Sequence, residues 1–209
     1  MDFMYHGANC ISVADKHTRI VVDDNLNQIG GKSVLTKSDV ALFTNRVNSS
    51  FSDNAKLAFS TPGEYEVGDI SILGIQAQPF MNDDSGVRSV MYKLSTSDLS
   101  ILITGHILGD LTDDQKELIG NIDVMFVPVG NNGYTIDPQG ALKLIKDIEP
   151  NIIIPTHYAS NKLKYPIEQI KLEDALKELA MEVSESTPKL KLKASDLTDV
   201  TRLVVLEEV

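Results

Sequence analysis

The stretch Asn151-Ile152-Ile153-Ile154-Pro155-Thr156-His157-Tyr158 decides how the chain is read. Three consecutive β-branched apolar residues, with no polar alternation, describe a strand covered on both faces. Pro155 has no N–H to give to a ladder and is expected to stop it. His157 is then delivered to the rim of a sheet, where function concentrates. Two other runs share this layout. Leu99–Thr104 is followed by Gly105 and His106, and Asp123–Pro128 by Val129-Gly130-Asn131-Asn132-Gly133. Central strands that end in His, His and a Gly/Asn loop predict one rim carrying polar groups.

Working outward, Cys10–Ala14, a turn at Asp15–His17 and Thr18–Asp23 read as a hairpin. It ends in Asp23-Asp24-Asn25, whose carboxylates either bond nearby N–H groups in a turn or serve a site. Gly30-Gly31-Lys32-Ser33 has the outline of the end of a phosphate loop, but Leu26 stands where the leading glycine is required, so the segment reads as a plain loop. Asp39–Thr44 and Lys56–Ser60 are strands. Glu64–Val67 and Ile70–Ala77 pair through a Gly68-Asp69 corner, and Val87–Leu94 pairs with Leu99–Thr104. Asn82–Gly86 is a loop too short for a calcium site.

Beyond Thr104 the pattern alternates helix and strand. Thr112 and Gln115 form a capping box for a helix that ends near Gly120. Asp137 caps a second helix with Pro138 at its first position, and Ala141, Leu142, Leu144, Ile145 and Ile148 form its buried stripe. Leu172, Ala175, Leu176, Leu179, Ala180 and Val183 mark a third. Lys189–Lys193 and Arg202–Leu206 close the chain as short strands. Without a repeat or a low-complexity linker, residues 1–209 read as one domain of layered α/β architecture.

The 209 residues carry a net charge of −11 and 42% hydrophobic residues. That balance argues against nucleic acid and anionic membrane surfaces as partners, since both demand a cationic face. No apolar run reaches the ~18 residues of a membrane span, and the first residues lack the pattern of a secretory signal. The single cysteine, Cys10, fits a reducing, cytoplasmic setting and reads as a small core residue. Any protein metal site would have to rely on the four histidines and on carboxylates. His6, near the start, and His17, in a turn, read as ordinary polar residues.

Several landmarks fall in a telling order: Gly7-Ala8-Asn9-Cys10, Val22-Asp23, Asp39–Thr44, Gly63-Glu64-Tyr65-Glu66, Ile103-Thr104-Gly105, Asp123–Gly130 and Pro155-Thr156-His157-Tyr158. Together they resemble the metallo-β-lactamase superfamily, nearest the compact branch that includes ascorbate-6-phosphate lactonase-like hydrolases. The resemblance implies an αββα sandwich of two mixed sheets flanked by helices. It also implies metal-dependent hydrolysis at a two-metal centre on one edge of the sheets. The family signature, His-x-His-x-Asp-His after a strand ending in Thr, falls here on Asn45, Val47, Ser49 and Ser50. The family's next histidine would fall near Phe80-Met81-Asn82, and none is there. The place of the bridging aspartate holds His106, and of the family's ligands only His157 remains.

The expected pocket therefore comprises His106, His157, Asp23, Asn45, Asp83, Asp84, Asn131 and Tyr158. His106 and His157 are its metal ligands if any metal binds, with Asp23, Asp83 or Asp84 as a third. A Ser49 or Ser50 nucleophile beside His106 is a weaker alternative. The expected function is a metallo-β-lactamase-fold protein without the dinuclear hydrolase centre, acting as a binding or regulatory module or as an enzyme of another type. It would have no resident cofactor, a small-molecule ligand and a homo-oligomeric state. The alternative is a metal-dependent hydrolase, lactonase- or phosphodiesterase-like, rebuilt around His106 and His157 with one Zn²⁺ or other divalent ion.

Overall fold

The computed structural model describes residues 1–45, 54–80 and 89–209. Two sheets face each other. In the first, the order is Leu190–Lys191 (β13), Asp2–Gly7 (β1), Cys10–Ala14 (β2), Arg19–Val22 (β3), Val40–Leu42 (β4) and Leu57–Phe59 (β5). In the second it is Val183–Thr187 (β12), Arg202–Leu206 (β14), Ile152–Thr156 (β11), Val124–Pro128 (β10), Ser100–Ile103 (β9), Ser89–Ser95 (β8), Ile70–Ala77 (β7) and Gly63–Val67 (β6). Both sheets mix parallel and antiparallel pairs. The helices are Asp113–Ile119 (α1), Pro138–Ile148 (α2) and Leu172–Leu179 (α3).

The three strands singled out by their apolar runs are parallel neighbours at the centre of the second sheet. Phe126 registers with Ile103 on one side and Ile154 on the other. Registered residues share a face, so Ile101, Ile103, Val124, Ile152 and Ile154 point with Phe126 toward the first sheet, where Phe126 meets Phe3 at 5.9 Å between ring centroids. Leu102, Met125, Val127 and Ile153 take the opposite face, beneath the helices. Successive crossovers β9–α1–β10 and β10–α2–β11 step in one direction, so the right-handed rule stacks their helices on one side. Lys116 of α1 pairs with Asp147 of α2 at 2.8 Å, and Gln139 of α2 donates to the Glu178 carbonyl of α3 at 3.0 Å. The outer face of the first sheet is covered differently. Leu26 and Ile29, in a short 3₁₀ turn, pack with Leu35 and Leu163 over Cys10, Val21, Ala41 and Phe43.

The caps form as their sequences dictate. Thr112 accepts from the Gln115 N–H at 3.2 Å while Gln115 reaches back to the Thr112 N–H at 2.8 Å, and Asp137 accepts from the Gly140 N–H at 2.7 Å ahead of Pro138. Two expectations need correction. Pro155 does not stop the ladder: β11 continues to Thr156, with Val127 opposite Pro155. The Thr156 carbonyl accepts from Val129 on the β10 side. The edge of Pro155 therefore faces β14, whose pairing with β11 covers only Ile152 and Ile153, and no N–H is needed there. Val183 does not belong to α3, because Ala180 turns left-handed at φ 51 and the chain re-enters the sheet as β12. The N-terminal residues, read only for the absence of a signal, form β1, with Phe3 and Tyr5 buried between the sheets.

Candidate functional site

The strand ends meet where the rim was expected, and the backbone there is unusual. Of the non-glycine residues with left-handed φ among those described, Ala8, Asp23, Asn131, Asn132 and His157 all lie on this rim, while Glu149 and Ala180 merely end helices. Such conformations cost about 1–3 kcal/mol each and persist where surrounding structure holds them. His157, at φ 56, is held by its N–H donating to the Ala8 carbonyl at 2.7 Å. Gly105, at φ 64, has to be glycine for a second reason: a Cβ there would collide with the Thr44 side chain.

Beneath the rim runs a buried polar chain that ties the two sheets together. Thr156 Oγ1 donates to Asn9 Oδ1 at 2.9 Å, and Asn9 Nδ2 donates to Asp23 Oδ2 at 2.6 Å. Asp23 also accepts from the Thr44 N–H at 2.7 Å and from Thr44 Oγ1 at 2.6 Å. Burial pushes the Asp23 carboxyl above its ordinary pKa against the pull of these donors. Its oxygens are thus spent on holding the ends of β3, β4 and β11 and the β1–β2 turn in register. Its partners lie 14 and 21 residues away along the chain, so these are cross-links between strand ends and not bonds within a local turn. Asp24 is engaged through Oδ2 alone, which accepts from Ser33 Oγ and from the N–H groups of Val34 and Leu35, while its buried Oδ1 has no partner among the described residues.

Above this chain His106 and His157 meet edge to face, with ring centroids 4.9 Å apart and planes at 87°. Tyr134 lies 5.6 Å from His106 and 5.3 Å from His157, and Tyr165 lies 5.4 Å from His157. Both histidines are buried, at 9% and 2% exposure. Among the described residues, neither ring nitrogen of His106 nor Nδ1 of His157 has a hydrogen-bond partner, while the Gln169 side chain lies against His157 and supports its imidazole. Burial pulls the His106 pKa down to about 4. Burial and the facing His106 pull His157 down to about 3. Near neutral pH both rings are uncharged, each with one N–H donor and one acceptor nitrogen.

Of the other expected pocket residues, Asn45 sits on the same rim: Ser89 Oγ donates to Asn45 Oδ1 at 2.7 Å and to the His106 carbonyl at 3.0 Å. Asn131 lines a cleft beside the site with Ile136 and Leu108. Tyr158 turns away. Its ring packs on Tyr5 at 5.3 Å and its hydroxyl donates to the Leu206 carbonyl at 3.2 Å, which leaves it in the core. Asp83, Asp84, Val47, Ser49 and Ser50 lie outside the described residues. Tyr134, Tyr165 and Gln169 were not anticipated. Tyr134 follows the Gly/Asn loop already marked as a rim, which was the available signal. Tyr165 is placed by long-range bonds, accepting from the Ala8 N–H and donating to the Tyr158 carbonyl at 3.1 Å each. His6 is more than a surface polar residue: it is buried on the outer face of the first sheet and bonds Ser12 Oγ at 3.0 Å.

Residues 2–157, from the first strand to the second of the paired histidines, match the family described as the β-lactamase superfamily domain. The chain belongs to that superfamily. A Lysinibacillus sphaericus protein described as a UPF0173 metal-dependent hydrolase is 25% identical over 207 aligned positions, covering 81% of this chain and 88% of the relative. A Thermotoga maritima protein assigned to the Zn-dependent hydrolases of the metallo-β-lactamase superfamily superposes with a TM-score of 0.75 at 24% identity, covering 98% and 97% of the two chains. An isothiocyanate hydrolase from Delia radicum gut bacteria superposes with a TM-score of 0.66 at 10% identity over 100% and 97%. At these identities the structural likeness speaks to the fold, a metallo-β-lactamase sandwich. Among the described residues, no helix is long and apolar enough to cross a membrane.

Proposed function

We propose that this chain is a metallo-β-lactamase-fold protein that binds a small polar ligand at the His106–His157 pair and lacks the dinuclear hydrolase centre of its superfamily. The observation that carries the reading is the donor set. Two imidazoles touch, and among the described residues no group of three or more His, Cys, Asp or Glu is placed to hold a metal ion. Zinc sites use three or four protein ligands. The signature positions hold Asn45, Val47, Ser49 and Ser50, of which valine has no donor atom and the neutral amide and hydroxyls are poor ligands for Zn²⁺. On this reading these donors do not suit a two-metal centre, and without one a bound water would not be acidified to a pKa of about 7.

The site instead offers hydrogen bonding without charge. Unpartnered buried polar atoms cost about 1–3 kcal/mol each, so three ring nitrogens in one cluster without a partner among the described residues favour a ligand that completes them. Since neither ring is protonated near neutral pH, a neutral molecule carrying both donors and acceptors suits the pair better than an anion. A cytoplasmic setting belongs to the same reading and rests on the single cysteine.

Calorimetric titration with Zn²⁺ tests the proposal. Binding weaker than about 1 µM is expected for the parent, with no change in the His157→Ala variant. One-to-one binding at sub-micromolar affinity that His157→Ala abolishes would overturn it in favour of a rebuilt metal-dependent hydrolase.

A further inference from the structure

The geometry points to a second element of this site: a preformed apolar subsite, between the loop after His106 and the start of α2, that takes one ring or short branched alkyl group of a neutral small molecule. The cleft measures ≈ 230 Å³, and Phe80, Leu108 and Ile136 supply its apolar walls. It is built by the loop that carries His106 and by the loop that carries Tyr134, which packs on both histidines. Leu108 stands two residues after His106, and Ile136 two residues after Tyr134. Its floor is tied down: the Phe80 N–H donates to the His106 carbonyl at 3.1 Å, the Leu108 N–H donates to the Gln78 carbonyl at 2.8 Å, and Pro79 bridges Ile107. A ligand therefore meets walls already in place and loses little to ordering them.

The chemistry of the occupant follows from size and charge. Apolar cavities of about 150 Å³ hold a benzene molecule, so this cleft admits a six-membered ring with a small substituent. At its rim Asp110 and Lys143 form an ion pair with each other, and the Asp137 carboxylate, which also lines the cleft, accepts from the Gly140 N–H at the positive end of α2, so the rim disfavours an anionic ligand. Asn131 also lines the cleft, with its backbone N–H already bonded to Thr135 Oγ1 at 3.1 Å. The inference rests on the metal-free reading for the identity of the polar end alone. The apolar half stands on the cleft.

Two probes separate the halves: acetamide carries the polar group, and benzamide adds the ring. In NMR titrations of the full chain, benzamide is expected to bind at least about tenfold more tightly than acetamide and to shift the amide signals of Leu108, Ile136 and Gly140. Gly109 has ordinary φ, and a Cβ there would meet only the Gly140 carbonyl at 3.6 Å, Gly140 Cα at 3.9 Å and Ile136 Cγ2 at 3.9 Å. Gly109→Leu should thus fill the cleft without backbone strain and erase the preference for benzamide. Leu108→Ala should weaken benzamide and leave acetamide unchanged, which serves if Gly109→Leu folds poorly. If Zn²⁺ binds tightly while benzamide still depends on the cleft, the metal-free function fails and the subsite stands. If benzamide moves no cleft signals, or binds Gly109→Leu as tightly as the parent, the subsite is refuted whatever the metal result.

Discussion

Lowering the pH from 7 to 5 should cost this fold about 4 kcal/mol through His106 and His157 alone. In the unfolded chain both imidazoles take up protons near the ordinary value of 6.5, whereas in the fold burial holds His106 to about 4, and burial with the facing His106 holds His157 to about 3. At pH 5 the unfolded chain carries nearly two protons on these rings and the native state almost none. A tenfold difference in proton affinity is worth about 1.4 kcal/mol, so each ring contributes about 2 kcal/mol at pH 5. The direction follows from linkage. A base with a depressed native pKa lets the unfolded state bind more protons, so stability is intact well above 6.5, falls as the pH drops below it, and stops falling only below about 3, where the native rings also charge. Around pH 5 the slope should approach about 2.7 kcal/mol per pH step. Among the described residues no carboxylate shifts either ring, and the Gln169 side chain and the His157 backbone oppose the shift of His157 without reversing it. Asp23, pushed upward by burial, acts with the opposite sign, and His6, held to about 4 by burial and Arg19, acts with the same sign. A His106→Gln/His157→Gln variant leaves both of those in place and isolates the pair. The assay is urea denaturation followed by far-UV circular dichroism at pH 7, 6 and 5, with slopes checked for constancy. The reasoning is refuted if parent and variant lose equal stability, or if NMR shows both rings titrating above about 7.

Asp23→Ala strands the Asn9 and Thr44 donors and should cost about 3–5 kcal/mol, against about 1–2 for Asp23→Asn, in which Asn9 can turn over and keep a bond; urea midpoints at pH 7 measure both. Gly105→Ala forces a left-handed backbone and drives a methyl into Thr44, so a loss of more than about 2 kcal/mol is expected and thermal melting reads it. Asn45→His adds a third imidazole at most and should not confer sub-micromolar Zn²⁺ binding by calorimetry.

Much of the fold was legible because its strongest signals are local and mutually consistent. The apolar triplet of β11, the Thr112–Gln115 box and the Asp137-Pro138 start each appear where the residues place them. What misled was local chemistry overruled by neighbours. Pro155 is a breaker only where a partner strand needs its N–H, and β14 has already parted from that edge. Val183 keeps helical spacing with Leu179, yet Ala180 turns the chain before it arrives. The convergence of His106 and His157 was readable because both follow parallel central strands. Tyr165 and Gln169 were not, because their positions depend on bonds to Ala8, Tyr158 and Ile167 across irregular chain that carries no periodicity. Asp23 was visible as a strand-end carboxylate, but only the structure distinguishes one whose oxygens are already taken.

The most direct test of the metal-free reading is elemental analysis of protein purified without chelator from cells grown with zinc, manganese and iron. Each metal is predicted to be far below one equivalent per chain, with no loss of thermal stability on later treatment with EDTA. One equivalent or more of any of them, removed by EDTA with a fall in melting temperature and absent from His106→Ala/His157→Ala, would contradict the account.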